Sequence, residues 1–102
     1  MRTLSYWLAC SALLLAGTAQ AQSPDPAQVR RWAASCANCH GTNGAAQPGM
    51  EPLAGVKKAD LVRKMQDFKT GRKPATVMHQ LAKGYSDDQI EAIAGYFAAQ
   101  KQ

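Results

Sequence analysis

The length of chain left for folding limits this protein more than any other feature of its sequence. Arg2 precedes an apolar run over residues 6–16, and Ala19-Gln20-Ala21 offers small residues at both key positions of a signal-peptidase site. The pattern predicts a cleaved signal peptide over residues 1–21. A retained membrane anchor is disfavoured because the apolar run is shorter than the ~20 apolar residues that a stable spanning helix needs. Removing residues 1–21 from the 102-residue chain leaves 81, predicted as one domain over residues 22–102. A purely protein core of that size is only marginally stable, so we expect something besides side chains to help fill it.

Two cysteines remain in the predicted mature chain, at Cys36 and Cys39, and His40 follows them directly. The order C-x-x-C-H is the attachment motif of c-type haem. Two thiols three positions apart, near the end of a helix, can add to the two vinyl groups on adjacent pyrroles, and the histidine then lies beneath the iron. The motif predicts one covalent haem c, with thioether bonds to Cys36 and Cys39 and His40 as an axial iron ligand.

Three other uses of this cysteine pair are a structural disulfide, a thioredoxin-like redox site and a zinc site. The sequence has no strand pattern of the kind that a thioredoxin-like unit needs. A zinc site would need further ligands, but the mature chain has no other cysteine, and His79 is its only other histidine. These observations favour haem attachment over all three alternatives.

Helical periodicity recurs in three segments, and no segment alternates like a strand, so the predicted fold is all-α. Pro26 is expected in the first turn of a helix that leads into the cysteine motif. A second helix is predicted from about Asp60 to Thr70, with Gly71 closing it. The last helix begins at Ser86 with a capping box. Its predicted core face consists of Ile90, Ile93, Ala94 and Phe97. The glycine-rich segment 41–55 is predicted to be a loop that wraps a bound group.

The second axial ligand is harder to assign from the sequence, because three methionines remain in the predicted mature chain. Met65 fits the apolar face of the second helix, where methionine normally fills the core. Met50 follows the motif too closely to reach the opposite haem face, whereas Met78 lies 38 residues beyond His40. We therefore expect Met78 to bind the iron, with core packing as its alternative role. His79 is expected to be a polar surface residue or a haem-propionate contact.

The surface charge predicts a protein partner rather than nucleic acid. The full chain has a net charge of +5, and loss of Arg2 with the leader leaves 11 basic and 7 acidic side chains. The basic residues are scattered, and aromatic residues do not alternate with them as they do on a nucleic-acid surface. A modest basic excess on an exported domain is typical of a surface that steers toward an acidic redox partner.

Four sequence elements together resemble those of class I c-type cytochromes. They are C-A-N-C-H-G-T-N-G at residues 36–44, P-L-A-G at 52–55, A-T-V-M at 75–78, and K-G-Y-S-D-D-Q-I-E-A-I-A-G-Y-F at 83–97. More narrowly, the chain resembles the cytochrome subunit of flavocytochrome c sulfide dehydrogenase. The resemblance implies helices wrapped around one haem, with the first and last crossing beside it. It also implies thioether sites at Cys36 and Cys39, with His40 proximal and Met78 distal.

The resemblance further implies that a backbone carbonyl accepts the ring N–H of the haem histidine. In the family that carbonyl belongs to a proline two residues before the leucine of L-A-G. Here Pro52 immediately precedes Leu53, so the acceptor is expected to be either Glu51 or Pro52. The flavocytochrome subunit commonly has two haem domains, whereas this chain has one C-x-x-C-H motif.

Three functions are compatible with these residues. The first is a periplasmic electron carrier without catalytic residues of its own, which links a dehydrogenase to a terminal oxidase or another cytochrome. The second is an electron-transfer subunit of a sulfide-oxidising flavoprotein complex. The third is a haem enzyme or sensor with an open sixth position, which requires that Met78 does not bind the iron. A His/Met pair favours ferrous iron and raises the reduction potential, which suits the carrier.

Overall fold

The computed structural model describes residues 23–102, which form helices and turns without a strand. In chain order they are α1 (Pro26–His40), a 3₁₀ turn (Thr42–Gly44), α2 (Lys58–Thr70), α3 (Met78–Lys83) and α4 (Asp87–Ala98). The all-α prediction is confirmed. The predicted signal peptide lies outside the described residues. None of the helices within residues 23–102 has the length and apolar character to cross a membrane.

The helix ends largely follow the signals in the sequence. Pro26 occupies the first turn of α1, where its missing N–H costs no hydrogen bond. Gly71 adopts a left-handed conformation and ends α2. The N–H of Gln89 donates to Ser86 Oγ at 3.1 Å, and the N–H of Ser86 donates to Gln89 Oε1 at 2.9 Å. This reciprocal pair is the predicted capping box of α4.

Two features of the helices differ from the prediction. Helix α2 begins at Lys58 rather than near Asp60, and its N-cap, Lys57, makes no side-chain capping bond that would mark the start in the sequence. The six-residue helix α3 was not predicted, because it spans less than two turns and so shows little periodicity.

The core is small and lies where α4 packs against α1 and α2, while α3 packs against α2. All four residues of the predicted core face of α4 are buried, and Ile90 is 0% exposed. The buried hydrophobic residues are Ala33, Ala54, Leu61, Ala82, Ile90, Ile93, Ala94 and Phe97. Half of them are alanines, so within the described part of the chain only four large side chains contribute the ~1.5–3 kcal/mol that full burial of such a side chain provides.

The loop after α1 folds back on itself at Gly44, beside the Phe97 side chain of α4. The Gly44 carbonyl accepts hydrogen bonds from the N–H groups of Leu53 at 3.0 Å and Ala54 at 3.3 Å. A Cβ atom on Gly44 would lie 2.7 Å from the backbone nitrogen of Ala54 and 3.0 Å from a ring carbon of Phe97, and its φ is +80°. Only glycine fits this position without strain, because it lacks a Cβ and tolerates positive φ.

Candidate functional site

A cavity of about 430 Å³ brings together all four residues that the sequence singled out for haem binding. Cys36, Cys39 and His40 line it from the end of α1, and Met78 lines it from the start of α3. Much of the remaining wall is apolar, including Leu61, Phe68, Ile93, Ala94 and Phe97. Its volume falls within the range of cofactor pockets, and so does its composition of many apolar side chains around a few polar atoms.

His40 is held in one tautomer by the loop that faces it. Its Nδ1 lies 2.7 Å from the carbonyl oxygen of Glu51. A carbonyl can only accept, so Nδ1 carries the proton and Nε2 keeps the free lone pair. This is the arrangement that orients metal-binding histidines in general. The sequence left the carbonyls of Glu51 and Pro52 as alternative acceptors for this hydrogen bond. In the structure the acceptor is the carbonyl of Glu51.

Glu51 also forms an ion pair with Lys64, which lies midway along α2. The ammonium group of Lys64 donates to Glu51 Oε1, and both residues line the cavity. The hydrogen bond from Lys64 lowers the pKa of the Glu51 carboxyl below its ordinary value, against the opposing effect of partial burial. The sequence did not reveal this contact, because the two residues are thirteen positions apart and belong to different elements.

The two thiols lie in different surroundings. Cys36 is half-buried on the inner side of α1, whereas Cys39 is exposed, and both are free. Burial raises the pKa of the Cys36 thiol, and a hydrogen bond with Ser35 opposes that effect more weakly. The Ser35 and Tyr85 hydroxyls are 2.5 Å apart, and both residues line the cavity. This bond ties the cysteine-bearing end of α1 to the turn before α4.

The three candidate methionines all line the same cavity, which the sequence did not predict. Met65 is therefore part of the cavity wall as well as of the apolar face of α2. Met50 is 43% exposed and adjoins Glu51, whose carbonyl contacts His40, so the Met50 backbone lies on the His40 side. Met78 is half-buried and follows a segment, Pro74–Val77, that lines the cavity throughout.

The segment before Met78 is fastened to α2 through Lys73. The N–H of Lys73 donates to the Asp67 carbonyl at 3.2 Å, and its ammonium group lies 5.3 Å from the centre of the Phe68 ring. The Lys73 carbonyl accepts a hydrogen bond from His79 Nε2 at 2.5 Å. His79 is thus bonded to the loop and is not among the residues that line the cavity.

The donor set fits a c-type haem on its chemistry. Two thiols, an imidazole with its Nε2 lone pair free and methionine thioethers all line one apolar cavity. These are the groups that attach and ligate haem in cytochromes c. If haem is bound, Cys36 and Cys39 would supply the covalent attachment and His40 one axial ligand.

Comparisons with known proteins agree with this chemistry. Residues 26–97 match the family model described as "Cytochrome C oxidase, cbb3-type, subunit III", which spans all four helices up to Phe97. The chain is 40% identical over 63 residues to the "Cytochrome subunit of sulfide dehydrogenase" of Chlorobaculum tepidum, covering 62% of this chain and 57% of that protein.

Two further relatives are cytochromes of different lengths. "Cytochrome c4" of Pseudomonas aeruginosa is 38% identical over 88 residues, which cover 85% of this chain and 43% of that protein. "Cytochrome c-553" of Nitratidesulfovibrio vulgaris is 32% identical over 94 residues, which cover 87% of this chain and 88% of that protein. The chain spans about half the length of the first two relatives and most of the third. With the family model matched from α1 to α4, the chain belongs to the c-type cytochromes, the family of haem electron-transfer proteins that its cysteine motif predicted.

Proposed function

We propose that this protein is an exported single-haem cytochrome that carries one electron at a time between redox partner proteins. The observation that best supports the proposal is the hydrogen bond from His40 Nδ1 to the Glu51 carbonyl, within a cavity that also contains both cysteine thiols. It leaves His40 Nε2 free as a ligand, which a solvated turn histidine would not require. The periplasm is proposed from the signal-like sequence over residues 1–21.

Each side chain has a defined task in this proposal. The Cys36 and Cys39 thiols would hold the haem by addition across its two vinyl groups, each forming a carbon–sulfur bond while the thiol hydrogen passes to the neighbouring carbon. His40 would hold the iron through its Nε2 lone pair. The bound haem supplies one-electron chemistry by alternating between ferric and ferrous iron. The apolar wall excludes water and disfavours the extra positive charge of ferric iron.

Met78 is the second axial ligand in this proposal, and helix α2 supports that choice. Lys64 contacts Glu51 on the His40 side, and one turn later Phe68 lies beside His79, with ring centres 6.4 Å apart. Four residues of helix correspond to ~6 Å along its axis. The loop with Glu51 and the segment with Met78 therefore contact α2 at positions about one turn apart along its axis. Such a separation is expected if His40 and Met78 approach the haem from opposite faces. Met50 adjoins the His40 side.

The basic test is whether the exported protein holds one haem that resists extraction. The intact mass should correspond to residues 22–102 plus one haem. Haem should stay with the chain in denaturing gels, and Cys36→Ala or Cys39→Ala should weaken that retention. Wild-type haem that extracts freely into acidic organic solvent would contradict the proposal.

The ligand test compares two methionine variants in the same holoprotein. Met78→Leu should remove the weak red charge-transfer band of thioether-bound ferric haem, lower the reduction potential and open the iron to external ligands. Met65→Leu conserves volume and should cost under ~1.5 kcal/mol of stability while keeping the band. If Met65→Leu lost the band and Met78→Leu kept it, the assignment to Met78 would be wrong. A wild-type protein that binds external ligands readily would favour a haem enzyme or sensor.

A second candidate function is that of an electron-transfer subunit in a sulfide-oxidising flavoprotein complex. The similarity to the sulfide dehydrogenase subunit favours it, although the chain spans 57% of that relative. Purification of the tagged protein from its own host distinguishes the two functions. A flavoprotein recovered in equal molar amount would support the subunit, and a protein recovered alone would support the free carrier.

A further inference from the structure

We propose that the ion pair between Lys64 and Glu51 is a positioning device for the axial histidine. It holds the Glu51 carbonyl against His40 Nδ1 and thereby sets how strongly the imidazole donates electrons to the iron. The inference rests on the proposed function, because it takes His40 as an iron ligand, and it assigns roles to two residues outside the haem motif.

Glu51 is held at both of its ends. Its backbone carbonyl oxygen accepts a hydrogen bond from His40 Nδ1, 2.7 Å away, and its carboxylate accepts a hydrogen bond from the Lys64 ammonium group. A residue bonded at only one of these points would be less constrained. With both bonds in place, Glu51 links His40 to α2 through its backbone carbonyl and its side chain.

The backbone around Glu51 offers little other support. Met50 donates its N–H to the Gln47 carbonyl at 3.1 Å, and Leu53 donates to the Gly44 carbonyl at 3.0 Å. Between them Pro52 has no N–H, and within residues 23–102 the Glu51 N–H makes no backbone hydrogen bond. Glu51 therefore lies between two residues whose N–H groups are hydrogen-bonded, while its own N–H makes no backbone bond among the described residues. The bond from Lys64 to its side chain supplies a further constraint at this position.

Lys64 is suited to this role by its place in the fold. It is the seventh of the thirteen residues of α2, so its backbone is fixed by helical hydrogen bonds on both sides. The side chains of Lys64 and Glu51 are 32% and 45% exposed. Exposed pairs contribute little to global stability, so variants of this pair should still fold.

The hydrogen bond to His40 has a predictable effect on the iron. A carbonyl that accepts a hydrogen bond from Nδ1–H raises the basicity of the imidazole ligand, which favours ferric iron. Looser positioning of the Glu51 carbonyl should therefore raise the reduction potential. Loss of charge acts separately: removing the Lys64 charge lowers the potential, and removing the Glu51 charge raises it.

The neutral double variant K64Q/E51Q separates positioning from charge, because it has the same net charge as the wild type. In the holoprotein, we expect a higher reduction potential and faster solvent exchange of the His40 Nδ1 proton, measured by potentiometry and by NMR. The charge-swapped variant K64E/E51K restores an ion pair and should return both quantities toward wild type. The matched control is K58Q/E91Q, which removes the Lys58–Glu91 pair between α2 and α4; its side chains are 52% and 54% exposed, and neither residue lines the cavity.

The outcomes distinguish this inference from the proposed function. A rise in both quantities in K64Q/E51Q that exceeds the control and is reversed in K64E/E51K supports positioning. Wild-type values in K64Q/E51Q overturn the inference and leave the cytochrome assignment intact. So do equal shifts in the control pair, which would show a general loss of stability. A wild-type protein without a His40-ligated haem overturns both.

Discussion

Removal of the haem should unfold this protein, and the size of the cavity gives the magnitude. The cavity occupies about 430 Å³. Core cavities cost ~24 cal/mol per Å³, so leaving this one unfilled would cost up to about 10 kcal/mol, an upper figure because the cavity is open on one side. At ~0.05–0.15 kcal/mol per residue, a domain of 80 residues has a total stability of only about 4–12 kcal/mol. The penalty is thus as large as the stability itself.

The measurement compares holoprotein produced from the full chain with residues 22–102 produced without the proposed signal peptide, so that the shorter chain does not meet the haem-attachment machinery. Circular dichroism should show a largely unfolded apo-chain, and urea should produce no cooperative transition in it. The holoprotein should unfold in one cooperative step. A cooperative apo transition with the steepness expected of an 80-residue domain would refute the reasoning, because it would show that the eight buried hydrophobic residues form a sufficient core.

Three further predictions concern the holoprotein. Ser86→Ala removes the hydrogen bond to the first turn of α4 and should cost about 1 kcal/mol in urea denaturation, with no change in the haem spectrum. Asp87, paired with Lys69, has its pKa lowered by the hydrogen bonds that it accepts, first from Gln66 and then from Lys69. The stability that the ionised Asp87 carboxylate adds is present above the unfolded pKa of about 3.9 and is lost as the pH falls below it. The melting temperatures of wild type and Asp87→Asn should therefore converge below that pH. Gly44→Ala should cost more than Gly49→Ala by about 1–3 kcal/mol, since both have positive φ but only Gly44 would place its new methyl against backbone.

The sequence predicted most of the helical framework, because its signals are local. The capping box at Ser86, the closing glycine at Gly71 and the apolar face of α4 each depend on residues within two turns of one another. The cysteine motif is also local, and the structure places both of its thiols in one cavity with His40. Family membership, inferred from the same motifs, is confirmed by the match over residues 26–97.

The contacts that shape the site could not be read in the same way, because they join distant positions. Glu51 meets Lys64 across thirteen residues, and nothing in either local sequence pairs them. The choice between the carbonyls of Glu51 and Pro52 depends on a loop conformation that no periodic pattern encodes. The location of Met65 in the cavity wall was missed for another reason, since a cofactor site and a core share the same apolar face of a helix. Signals for α3 exist in the apolar spacing of Met78, Leu81 and Ala82, but six residues are too few to establish a period.

Helix α2 contacts both the loop that faces His40 and the segment that precedes Met78, the two residues proposed as iron ligands. Lys64 binds the loop that orients His40, while Asp67 and Phe68 hold Lys73 and, through it, the segment before Met78. The two contact points are about one helical turn apart, a spacing that the rigid helix fixes at ~6 Å. Residues 23–102 bury only four large side chains, and in so small a core a helix can hold the two proposed ligands in register where loops alone cannot. A substitution on the outer face of α2 should therefore leave both proposed ligands in place. Loss of the Lys64 contact should affect His40 first, and loss of the Asp67 and Phe68 contacts should affect Met78 first.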